Sequence, residues 1–125
     1  MSEEPIKWKA APDDKDYPAA RSFLSLIYDP EHVGNLVHTL LVEPELGTFR
    51  VNDILRAAGL PPLGVDNAQV RKNLKKIEGD EPLSPVLLVR DPRQVRVIIA
   101  DGYHRLSAVN LHDPCAEVPV HVASA

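Results

Sequence analysis

From residue 84 the chain carries two short, β-branched apolar runs, SPVLLVR and VRVIIAD, separated by DPRQ. Runs of this length and composition form strands buried on both faces, and proline directly after aspartate suits a tight turn, so the stretch predicts a β-hairpin. The second run leads into ADGYHRLSAVNLH. There Gly102 permits a sharp change of direction, and Leu106, Ala108, Val109 and Leu111 supply the inner face of a helix from about Tyr103 to His112. EVPVHV then alternates like a half-buried strand. Everything upstream must pack around this β-β-α-β unit.

The upstream half reads as helices. DYPAARSFLSLIY offers a polar cap at Asp16, an early Pro18 and apolar residues at helical spacing. Asp29 followed by Pro30 is a cap and a first-turn proline, and Val33, Leu36, Val37, Leu40 and Leu41 form a second apolar stripe that ends by Pro44 and Gly47. VNDILRAAGL predicts a third helix with Asn52 as cap and Gly59 as stop. A fourth runs to Gly79 with Asp66 and Gln69 as a capping box. The expected fold class is α+β, N-terminal helices followed by β-β-α-β with a small mixed sheet. Residues 1–15, with Pro5, Pro12 and DDKD, read as a polar arm or a short edge strand at IKWK, and 16–125 as one domain.

At 125 residues the chain can bury a core without disulfides, and 44% apolar with 26% charged residues is ordinary for a globular protein. A net charge of −4 excludes the global basic field of a dedicated nucleic-acid binder, so any anion site must be local. The lone Cys115 has no internal disulfide partner, the N-terminus lacks a signal-peptide core, and no apolar run is long enough for a bilayer. A reducing cytoplasm, and no membrane partner, is the expectation. The five histidines show no metal-ligand spacing, and no metal ligand is assigned.

His104 and Arg105 fall in the first turn of the helix after Gly102, where the helix dipole disfavours positive charge. A bound phosphate or carboxylate would reverse that penalty, with Gly102 admitting it, backbone N–H groups and the Arg105 fork holding it, and His104 adding a donor. Asp101 can cap the same helix. The plainer reading has Arg105 paired with Asp101 or another acid and Gly102 serving the turn alone. From the residues, both stay open.

VIIADGYHRLSAV, preceded by LSPVLLV and followed by EVPVHV, resembles the ParB/sulfiredoxin superfamily, whose members carry signatures such as GERR, GGCHR or DGHHR at a strand-to-helix turn. The resemblance spans about residues 70–122 and extends to small bacterial ParB-like proteins with an ADGYHR signature. It implies a ParB/sulfiredoxin-like fold and a nucleotide, ATP or CTP, with Mg2+ as a companion. Carried over by position, Gly102, His104 and Arg105 match phosphate-binding residues and Asp101 the acid of the kinase-type version. Ser84-Pro85 matches a polar-proline step beside the nucleotide, and Tyr103 lies within the same turn. Asp101 and His104 are the candidate catalytic residues if phosphoryl transfer or nucleotide hydrolysis follows binding. Tyr103 stands where sulfiredoxin has its cysteine, which argues against thiol chemistry. ParB's downstream helix-turn-helix and dimerisation regions are missing from this chain.

AQVRKNLKKI places Arg71, Lys72, Lys75 and Lys76 on a basic helix, ordinarily a solvated face but able to supplement the anion turn if the two lie close. It supports the second reading, a non-catalytic nucleic-acid-associated or protein-interaction module in which the turn is structural. A nuclease would need a metal or general base that the sequence does not display.

Overall fold

The computed structural model describes residues 5–125. Its elements are α1 (Asp16–Leu24), α2 (Pro30–Val42), β1 (Glu45–Arg50), α3 (Val51–Ala58), α4 (Ala68–Glu78), β2 (Val86–Asp91), β3 (Arg96–Asp101), α5 (Tyr103–His112) and β4 (Glu117–Ser124). The four strands form one mixed sheet in the order β1-β4-β2-β3. β1 with β4 and β2 with β3 are antiparallel, while β2 and β4 run parallel in the centre. The fold is α+β.

Alternation along the strands divides the interior in two. Val86 and Leu88 of β2, Ile99 of β3 and Val118, Val120 and Val122 of β4 face a core completed by α3, α4 and α5. Leu87 and Val89, Ile98 and Ala100, and Ala123 face the other core, built by α1 and α2. β2 and β3 are therefore apolar on both sides, which is why their sequences read as continuous hydrophobic runs, whereas central β4 keeps the alternation of its valines.

The hairpin and α5 match the sequence reading, as do the Asp29 cap, whose carboxylate accepts from the His32 N–H at 2.9 Å, and the Gly59 stop in left-handed conformation. Asp91 organises the hairpin turn, its buried carboxylate accepting from the Tyr28 hydroxyl at 2.7 Å and the Arg93 N–H at 3.0 Å. That hydroxyl holds the Asp91 carboxyl below its ordinary value, and burial together with Asp91 pushes the Tyr28 phenol up to about 12.

Several expectations are corrected. β1 interrupts the helical half: ELGTFR owes its extended form to pairing with β4 rather than to its own pattern. α1 ends at Leu24, four residues before Tyr28. The cap of α4 is Asn67, which accepts from Gln69 N and Val70 N, in place of Asp66. α3 begins at Val51, before the expected cap Asn52, with no side-chain cap. Of the expected arm, residues 1–4 lie outside the described residues, while Lys7 and Lys9 exchange main-chain hydrogen bonds with Leu83. The edge strand expected at IKWK is a single bridge, Trp8 to Leu83.

Leu87, on the central strand β2, is fully buried in the second core. Leu87→Ala is expected to lower unfolding free energy by about 2–5 kcal/mol. Leu26→Ala, at a residue 86% exposed, should stay within about 0.5 kcal/mol. Urea titration of both variants checks this.

Candidate functional site

At the end of β3 the chain turns at Gly102 and enters α5. Gly102 has φ 116°, and a Cβ there would lie 2.9 Å from a Val86 methyl and 3.0 Å from an Arg105 guanidinium nitrogen. The turn therefore needs glycine both for its backbone angle and for its closeness to β2. Asp101 does not cap α5, as Gly102 takes the cap position and no side chain bonds the first-turn N–H groups.

The turn at Gly102 folds the first turn of α5 back beside the end of β3, so Asp101 and Arg105 meet across it, the guanidinium donating to the carboxylate at 3.1 Å. The same guanidinium lies 3.6 Å from the Asp16 carboxylate of α1 and donates to the Pro85 carbonyl at 3.4 Å. Asp16, read as a helix cap, is instead buried at 3% exposure. It accepts from the Ser84 hydroxyl and, at 3.2 Å, from the Asp13 N–H. Ser84 also accepts from Asp13 N at 3.0 Å. Arg105 itself is 14% exposed and its Nε, buried, has no partner among the described residues.

One cation thus faces two carboxylates. Burial of Asp101 is the main cause that pushes its carboxyl up to about 6, the Arg105 charge opposing the shift and the Asp16 carboxylate reinforcing it.

Beside this network lies a cleft of about 190 Å³. Asp101, Gly102, His104, Arg105 and Ser84 line it, as five of the six expected site residues. Tyr103 is placed outside: it points away from the 101/105 side, packs on the core and donates its hydroxyl to the Pro61 carbonyl. It holds the PPLG loop against α5 together with Ser107, which accepts from the Leu63 N–H at 3.0 Å.

The cleft also collects residues not singled out as site residues from the sequence. Lys9, Asp13 and Lys15 arrive from the segment before α1. Of the basic residues of α4, Lys72 and Lys76 line the cleft, whereas Arg71 turns to the Val65 carbonyl at 2.8 Å. Lys9 bonds Asp13 at 2.8 Å and thereby holds that carboxyl below its ordinary value. Among the described residues Lys15, Lys72 and Lys76 have no ion-pair partner. The i, i+4 spacing of Lys72 and Lys76 was the available signal on α4, and it needed the packing of α4 on α5 to acquire meaning.

Among the described residues no group of three or more His, Cys, Asp or Glu is arranged to hold a metal ion. No described helix is long and apolar enough to cross a membrane. Comparison of the chain with protein-family models, curated proteins and solved structures gives no match.

The Asp101 carboxyl titrates higher in the folded chain, about 6, than its ordinary 3.8. The native state therefore retains a proton that the unfolded chain releases, and the resulting stability is complete below about pH 4 and lost as pH rises through about 6. Asp101→Asn should remove this component. The stability of the parent relative to the variant is expected to fall between pH 4 and pH 7, read from urea midpoints across that range.

Proposed function

We propose that the cleft beside Gly102 binds a phosphate-bearing ligand. A nucleotide, ATP or CTP, is the class implied by the resemblance to ParB/sulfiredoxin domains. The observation that carries the reading is charge: in a chain of net charge −4, four lysines, His104 and Arg105 from three separate segments converge on one cleft with two carboxylates, at the mouth of a ten-residue helix. Such convergence costs self-repulsion that a bound anion relieves, and α5 adds the first-turn N–H groups that a helix leaves unpaired.

In this reading Gly102 lets phosphate approach the backbone, Lys15, Lys72 and His104 meet it first, and Arg105 contributes through its inward-held guanidinium. Mg2+ would enter with the phosphates, because the described protein groups offer it no cage of their own. Phosphoryl transfer or triphosphate hydrolysis would draw on Asp101 and His104, which both line the cleft, for proton movement.

One observation favours the alternative: Arg105 is already neutralised by Asp101 and Asp16, giving the turn a structural purpose. The protein would then be a nucleic-acid-associated or interaction module working through α4.

The test is a thermal-shift and calorimetric panel of ATP, CTP, GTP and their diphosphates, with and without Mg2+, beside a DNA duplex titrated across salt. Nucleotide binding supports the proposal, and a steep salt slope with DNA and no nucleotide response supports the module. His104→Ala and Lys72→Ala, both at exposed positions, should each weaken nucleotide binding by about 0.5–1 kcal/mol with melting unchanged. Arg105→Ala should lower stability by about 3–5 kcal/mol, since it strands two carboxylates.

A further inference from the structure

Resting on the phosphate-ligand reading, we infer that the cleft recognises a chain of two or more linked phosphates by charge alone and leaves whatever they are attached to in solvent. Its cations are spread out rather than focused. Lys72 and Lys76 sit one helical turn apart on α4, about 6 Å along the axis, while Lys15 approaches from the segment before α1 and Arg105 from α5. One compact anion cannot sit against all of them, whereas a linear polyanion can run from the α5 N-terminus past Lys72 to Lys76.

Size and surface chemistry point the same way. About 190 Å³ is less than the roughly 300–1,000 Å³ of pockets that enclose a whole cofactor-sized molecule. The lining includes Pro82 and Leu83 but no Phe, Tyr or Trp, the large rings on which bases are ordinarily stacked, and its one imidazole, His104, is exposed. The two rings nearest in sequence to the lining are committed elsewhere. Tyr103 is tied to Pro61, and Trp8 packs on the core formed with α3 to α5. The Asn73 amide, on the rim, donates to the Gln69 carbonyl at 3.0 Å.

The probes are orthophosphate, pyrophosphate, tripolyphosphate, ATP, CTP and GTP, titrated into the intact chain at constant ionic strength. Tripolyphosphate should bind within about threefold of all three nucleotides and at least tenfold more tightly than orthophosphate. Lys72→Gln combined with Lys76→Gln should shrink the triphosphate-to-monophosphate ratio to below threefold with melting unchanged. Lys75→Gln, on the same helix but outside the lining, should change binding less than twofold. A single nucleotide binding tenfold better than tripolyphosphate means that the base is read and overturns this inference while the proposed function stands. Orthophosphate matching tripolyphosphate, or Lys75→Gln costing as much as Lys76→Gln, overturns it likewise. Failure of every phosphate compound to bind removes the proposed function and the inference together.

Discussion

The guanidinium of Arg105 between Asp16 and Asp101 is the interaction around which this molecule is organised. It joins the start of α1, the end of β3 and the first turn of α5, and through Ser84 it reaches the entry to β2. Two of these elements belong to opposite sides of the sheet, so the ion cluster ties the two apolar cores at one end. A buried charge cluster of this kind adds little net stability over an apolar replacement, yet losing one member is costly because the others remain desolvated. Its contribution is to define one geometry for the turn, with the glycine, the helix mouth and the lysines in register.

The same cluster reframes the placement of two basic residues at a helix N-terminus. Arg105 is compensated from within, by acids 4 and 89 residues away in sequence, so its position needs no ligand to be tolerated. His104 and the lysines around it are different. They stand exposed or partly exposed along the cleft, and the acids within reach are already engaged with Arg105 and Lys9. The excess of positive charge therefore belongs to the cleft rather than to the turn.

Local pattern made the β2-β3-α5-β4 unit readable, because two-sided burial gives continuous apolar runs and Gly102 punctuates them. α2 was readable through its Asp-Pro start and Gly59 through its left-handed stop. ELGTFR was not, since an exposed edge strand is stabilised by its neighbour's hydrogen bonds and carries little pattern of its own. At the site, Asp101, Gly102, His104 and Arg105 were legible as a contiguous turn. Asp16 was not, because its partner Ser84 lies 68 residues away and its own surroundings imitate a helix cap. Tyr103 sits in the middle of that turn, but helical rotation sends its ring to the opposite side, toward Pro61.

β1 leaves one border of the sheet without a neighbouring strand, with Leu46 and Phe49 exposed on either side of its ribbon. Its main-chain groups on that border are a template for any extended chain, and such borders are where sheets of separate molecules fuse. Glu45 and Arg50 bracket the strand with opposite charges, and Glu45 is held by Arg90 of β2 at 3.1 Å. Charges at both ends of an exposed six-residue margin are the means by which a sheet border is kept solvated, so Glu45 and Arg50 guard the side of the molecule where strand-to-strand adhesion would start.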